Sequence, residues 1–250
     1  MARSFFMGFV LGIFLPALSA NALELNALSD NERAGFRAEV RSYLLENPEV
    51  LMEAIAVLQT REAKNATQSV TQLIESNYDA IVNDPTSWQG GNLAGDITLV
   101  EFMDYRCGYC RKAHSEVAEL IASDGNIRYI VKEYPILGPE SELASRFAIA
   151  TRLTEGDAAY KDIYNGLFVF KGAMTKENLV TVAKELGLDG DAIAAVMAEE
   201  SVTDILSRSV GLGQTLGVNG TPTFIVNGQM LRGYVPLEDM REMVAALRKG

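Results

Sequence analysis

Cysteine and histidine are nearly missing from this chain. Cys107, Cys110 and His114 are the only ones in 250 residues. A structural zinc site needs four ligands. These three fall short, and there is no second cysteine pair. Covalent haem attachment needs a histidine directly after the second cysteine, and Arg111 stands there. An inert disulfide across so short a loop would constrain little of the unfolded chain. Basic charge is scarce too: 22 Lys and Arg stand against 33 Asp and Glu, a net charge of −11. Phosphate binding needs a basic face, so nucleic acid is excluded as a partner.

Long apolar runs are absent beyond the N-terminus, as are internal repeats and low-complexity segments. At the N-terminus, Arg3, the apolar run Phe5 to Leu18 and the small-x-small site Ala20-Asn-Ala22 read as a secretory signal over residues 1–22. The run is short for a membrane span of about 20 residues. The expectation is an exported, periplasmic protein in an oxidising compartment, where a disulfide-exchanging pair can work.

What the chain does have is 48% hydrophobic residues, enough for a sizeable core, and one stretch that organises the rest. Residues 98–114 read as an apolar strand, a short loop and the start of a helix, with Cys107 and Cys110 at the junction. Free backbone N–H groups and the positive end of the helix dipole favour a thiolate there. A lowered pKa makes the first sulfur a good attacking or leaving group. The second, one turn on, can close a disulfide or resolve a mixed one. Copper(I) binding by two thiolates is the other chemistry this pair allows.

Ahead of this stretch, Ser29-Asp-Asn-Glu32 is a capping-box pattern opening a helix with Phe36, Val40, Leu44 and Leu45 on one face. A second helix follows Asn47-Pro48. Their apolar stripe leaves two readings open: packing on the chain's own domain, or self-association through residues 28–80. Residues 84–92 read as turn-rich and mark a boundary, giving a helical extension over 23–84 and a second domain over 85–250. Ile127 to Tyr134 reads as a strand parallel to the first through a right-handed crossover. A helical block spans about 140–217, with caps at Ser141, Asp157, Thr175 and Ser201. Gly220 to Val226 and Gln229 to Leu231 read as a hairpin around Asn227-Gly228, and a closing helix follows.

The segment Glu101-Phe-Met-Asp-Tyr-Arg-Cys-Gly-Tyr-Cys110, Tyr134 to Gly138, the helical block and Gly220-Thr-Pro-Thr-Phe224 together resemble the bacterial DsbA family of thioredoxin-fold oxidoreductases. With its helical extension the chain is most similar to the branch of ScsC and Com1-like proteins, the latter associated with the outer membrane. The resemblance implies an α/β thioredoxin fold with a helical insertion. It implies Cys107 as the exposed nucleophile, Cys110 as the buried resolving sulfur and Gly108 and Tyr109 as the tuning dipeptide. Thr221 and Pro222 become a cis-proline loop that presents backbone to substrate. Glu101 becomes the acid beneath the site, able to take the Cys110 proton, with Lys132 as its suggested partner. The most oxidising members carry Pro-His between the cysteines, which this sequence lacks.

His114 reads either as an ordinary helix residue or as a weak tuner of the thiolate. Asp104 and Tyr105 read equally as shaping the loop or touching substrate, and Arg106, Arg111 and Lys112 as solvated cations that add positive potential near Cys107. The implied activity is oxidation or isomerisation of disulfides in exported cysteine-containing proteins. The only cofactor is the redox-active disulfide itself, reset by a membrane redox partner.

Overall fold

The computed structural model describes residues 28–249. The signal-peptide reading of residues 1–22 lies outside them. Among the described residues no helix is long and apolar enough to cross a membrane. The chain divides into two units at Arg61 and Glu62.

The first unit contains α1 (Asp30–Glu46) and the start of α2 (Glu49–Ser76). The capping box forms as expected: Ser29 Oγ accepts from the Glu32 N–H, and the Glu32 carboxylate accepts from the Ser29 N–H at 2.9 Å. α1 has no buried residue, and Phe36, Val40, Leu45, Leu51, Ile55 and Leu58 are exposed.

The second unit holds the end of α2, α3 (Tyr78–Val82) and five strands: β1 (Trp88–Gly91), β2 (Ile97–Met103), β3 (Ile127–Glu133), β4 (Thr223–Val226) and β5 (Gln229–Arg232). Their order is β1-β3-β2-β4-β5. Only β2 and β3 run parallel, joined through α4 (Gly108–Asp124) as the spacing predicts. Gly125 ends α4 in the left-handed region, φ 74°, where a side chain would be strained. β4 and β5 meet at Asn227 (φ 43°) and Gly228 (φ 86°), the two positive-φ residues of a type I′ turn. β1 is a correction to the sequence reading. The stretch read as turn contains an antiparallel edge strand, pairing Trp88 with Val131. Its four residues are too short and glycine-rich to carry a strand pattern of their own.

Between β3 and β4 lie α5 (Pro139–Val169), α6 (Lys176–Glu185), α7 (Gly190–Val196) and α8 (Glu200–Thr215), with α9 (Leu237–Leu247) closing the chain. Thr175 caps α6 as expected, but Ser141 and Ser201 lie inside α5 and α8. α5 breaks at Gly156 (φ 86°), beside the expected cap Asp157. α4, α9 and the insertion cover one sheet face, against Leu99, Met103, Tyr129 and Val131. The other face, with Val100, Phe102 and Ile130, packs on Ile74, Ile81 and Val82.

Strand alternation corrects a second expectation. Glu101 pairs in register with Val131, whereas Lys132 pairs with Phe102 on the opposite face. Lys132 therefore never meets Glu101. Its ammonium donates to the Ala80 carbonyl at 2.8 Å and to Asp84 at 2.9 Å. Burial pushes the Lys132 pKa down. Burial also raises that of Asp84, but bonds from Thr86, Lys132 and Ser87 outweigh this and hold it well below the usual carboxylate range. Lys132→Met should cost about 2–3 kcal/mol in urea unfolding, because it strands a half-buried carboxylate. It should leave the cysteine titration unmoved. A shifted titration would mean that Lys132 reaches the thiols after all.

Candidate active site

β2 ends at Met103, and the turn Asp104 to Arg106 delivers Cys107 to the N-cap position of α4. Its sulfur accepts from the Cys110 N–H at 3.5 Å, in the place an N-cap oxygen would take. On the other side, the Cys107 thiol donates to the Thr221 carbonyl at 3.1 Å. The Thr221–Pro222 bond is cis. Thr221 Oγ1 is buried and has no partner among the described residues, leaving its hydroxyl available to a thiolate.

These groups hold the Cys107 pKa at about 5. The Cys110 thiol donates to the sulfur and is the largest influence. Burial opposes it, and Thr221 and the N–H groups of Cys110 and Tyr109 add to the lowering. Cys110 goes the other way, pushed far up by burial, by its bond to Cys107 and by the Glu101 charge. Both thiols are free. Cys107 was expected to be exposed, but it is only 7% exposed, against 0% for Cys110, because it sits beneath the Thr221 carbonyl. Gly108 is exposed, and Tyr109 is 65% exposed, stacked on Tyr234 at 6.4 Å between ring centres.

Glu101 lies beneath the site, fully buried. Burial raises its pKa to about 7, although the Tyr129 hydroxyl donates to it. Its Oε1 has no partner among the described residues. Tyr129 OH is 2.9 Å from Tyr164 OH. The cation that acts on Glu101 is Lys161 on α5, not Lys132. Sequence reasoning missed Tyr129, Tyr164 and Lys161. Strand parity alone would have found Tyr129, which shares the Glu101 face of the neighbouring strand.

His114 turns toward α5, with Nε2 3.0 Å from Asn165 Oδ1 and its ring 4.8 Å from that of Phe168. Burial lowers its pKa, which favours the neutral ring. Arg111 is no solvated cation: its Nη1 donates to the carbonyls of Phe168 (2.8 Å) and Phe170 (2.6 Å). Lys112 lies 4.0 Å over the Tyr234 ring, and Arg106 pairs with Glu140 at 3.4 Å. Among the described residues, no three His, Cys, Asp or Glu side chains converge to hold a metal ion.

A thiol of lowered pKa, carried by a β-α-β unit and facing a cis-proline loop, defines the thioredoxin-fold class of dithiol proteins. Residues 98–245 match the DSBA-like thioredoxin domain, and the chain belongs to that family. Residues 32–65 match the copper resistance protein ScsC N-terminal domain, which bears out the ScsC-like branch. A solved thioredoxin-like oxidoreductase from Silicibacter pomeroyi is 37% identical. That likeness covers 69% of this chain and 98% of that one, with a TM-score of 0.64. BcfH of Salmonella enterica Typhimurium is 28% identical, covering 88% and 97% of the two chains, with a TM-score of 0.71. Among curated proteins, the Na(+)/H(+) antiporter NhaA of Herminiimonas arsenicoxydans is 30% identical over 62% of this chain, which spans only 24% of that relative.

Proposed function

We propose that the chain is an exported thiol:disulfide oxidoreductase that exchanges disulfides with protein cysteines through Cys107 and Cys110. The observation that carries this is Cys107 at the N-cap of α4, its pKa lowered to about 5, facing Thr221 and Pro222. The Cys107 thiolate attacks a substrate disulfide, forming a mixed disulfide and releasing one substrate thiolate. Cys110 loses its proton and attacks the Cys107 sulfur. The second substrate thiolate leaves, and a Cys107–Cys110 disulfide remains. The reverse sequence oxidises a substrate dithiol. No other cofactor is needed, and a membrane redox partner resets the pair. Glu101, directly beneath, receives the Cys110 proton. Gly108, Tyr109, Thr221 and Pro222 form the surface that meets substrate. Insulin reduction and reactivation of scrambled ribonuclease test the activity. A protein inert in both refutes the reading.

The exposed apolar stripe of α1 and α2 supports self-association through residues 28–80, and with it isomerisation rather than simple oxidation. Deleting residues 28–61 spares Ile74, Ile81 and Val82, which belong to the second unit's core. The deletion should reduce the mass in solution to a single chain. It should abolish ribonuclease reactivation while keeping insulin reduction. An unchanged mass would refute the assembly.

A second reading, Cu(I) binding by both sulfurs, is favoured by the ScsC match over residues 32–65. The burial that keeps the Cys110 proton on opposes it, since the metal needs both thiolates. Stoichiometric Cu(I) uptake that is lost in Cys110→Ser, without turnover of insulin, would favour it.

A further inference from the structure

Three buried carboxylates lie around the thiols, and they are used differently. Glu101 has one hydroxyl donor and one bare oxygen. Glu133 accepts from three hydroxyls, those of Tyr105 (2.8 Å), Tyr160 (2.6 Å) and Ser145 (2.7 Å). Asp104 instead gathers backbone. Its Oδ1 accepts from the Arg106 N–H at 2.7 Å and the Ser141 hydroxyl at 2.8 Å. Its Oδ2 accepts from the N–H groups of Ile136 at 2.9 Å and Leu137 at 3.0 Å. The Asp104 carbonyl also accepts from the Cys107 N–H at 3.1 Å.

One side chain therefore closes the turn that ends at Cys107 and ties it to the segment after β3 and the first turn of α5. Four donors use up the four acceptor sites of a carboxylate. Asp104 is 0% exposed, so substrate cannot touch it. Three of its donors are main-chain groups, whose positions are set by the fold rather than by a rotamer. The other ties nearby reach different atoms: Tyr105 donates from its side chain to Glu133 at 2.8 Å, the Tyr134 N–H donates to the Met103 carbonyl ahead of the turn at 2.9 Å, and the Arg106–Glu140 pair, at 3.4 Å and well exposed, is a class of contact that contributes little.

We propose that Asp104 is the positioning residue of the reactive turn: its carboxylate anchors that turn to residues 136, 137 and 141 and so fixes Cys107 against the start of α4 and the Thr221 loop. This rests on the reading of Cys107 as the attacking sulfur. A sulfur is stabilised as an anion only while it stays within reach of the donors around it, and each of those bonds falls off steeply with distance and angle. A loosened turn would lose them together.

Asp104→Asn separates positioning from simple charge. The amide keeps one oxygen for Arg106 and Ser141. It turns an NH₂ group toward the Ile136 and Leu137 N–H groups, setting donor against donor. If Asp104 acted only as a nearby negative charge, neutralising it would favour the thiolate and move the Cys107 titration to lower pH. Positioning gives the opposite sign. The thiolate absorbance should titrate at higher pH, with the acid constant down about tenfold. The exchange equilibrium with glutathione should shift toward the protein disulfide by a similar factor. An unchanged or lowered titration overturns the proposal.

Amide hydrogen exchange of the wild-type protein keeps the test open if the variant does not fold. The Ile136 and Leu137 amides should be strongly protected although their side chains are exposed. Fast exchange at both overturns the anchor. A wild type that neither titrates low nor exchanges with glutathione would remove the proposed function itself. A wild type that does both, matched by Asp104→Asn, removes only the role of Asp104.

Discussion

Cys107→Ser should abolish insulin reduction and ribonuclease reactivation, whereas Cys110→Ser should stall after the first step and accumulate mixed disulfides with substrate. The asymmetry follows from the two pKa directions. At pH 7 a thiol with a pKa of about 5 is ionised roughly a hundred times over, and Cys110 stays protonated. Serine offers neither an anion nor a sulfur that can leave. The same shift makes a thermodynamic statement. The folded-state pKa of Cys107 lies below the ordinary thiol value of 9.0. Its stabilisation of the reduced protein is therefore present above pH 9 and is lost as pH falls toward 5. The reduced form should gain on the oxidised form in thermal melts at pH 8, and the gain should shrink toward pH 5. Cys107→Ser, which cannot form the disulfide, should lack this contribution, so reduced wild type should gain on the variant from pH 5 to pH 8. A Cys110→Ser protein that turns over normally would contradict the assignment of roles.

Glu101→Gln should make the protein more stable above neutral pH and poorer at resolving mixed disulfides. The folded pKa of Glu101 is raised from 4.5 to about 7. Folding therefore favours the protonated acid. That contribution is complete below pH 4.5 and is lost as pH rises through 7. Keeping the carboxylate ionised in the core at pH 8 costs on the order of 3 kcal/mol, which the neutral amide avoids. Urea unfolding from pH 5 to 9 should show the variant gaining on wild type through this window. Glu133, also raised to about 7 by burial, leaves a residual slope in both proteins. The kinetic cost has a separate origin. Cys110 must lose its proton in a dry site, and on the proposed function the buried Glu101, whose charge reaches Cys110 and whose Oε1 has no partner among the described residues, is the base that takes it. Removing a general base typically costs 10²–10⁴-fold. The lifetime of the mixed disulfide at pH 7 should lengthen by about that range. An amide variant that resolves as fast as wild type would show that another group takes the proton.

The sequence carried the site's location because its chemistry is local. A Cys-x-x-Cys at a strand-to-helix junction and an Asn-Gly hairpin each announce themselves within a few residues, whereas the Thr221–Pro222 loop came only from the family resemblance, since an X-Pro bond by itself reads as trans. The parallel β2–β3 pair was legible from strand, helix and strand spacing. What escaped notice depended on partners distant in the chain. β1 exists because β3 offers an edge, not because Trp88-Gln-Gly-Gly91 prefers to be extended. Arg111 looked solvated until the end of α5 brought the Phe168 and Phe170 carbonyls to it. The misplaced Lys132 is the exception. Strand parity placed it on the face away from Glu101, and the alternation in residues 127–133 held that information.

The contact between Gly233 N–H and the Pro222 carbonyl, at 2.9 Å, bears on how a client chain is gripped. That acceptor is already occupied by the protein's own hairpin. The neighbouring acceptor, on Thr221, takes the Cys107 hydrogen only while that sulfur is a thiol. With a pKa of about 5, Cys107 has shed that hydrogen at neutral pH, so the Thr221 oxygen is vacant before any client arrives. On the proposed function, a visiting backbone would find its handhold open beside the reactive anion, and acidification below about pH 5 would shut both at once.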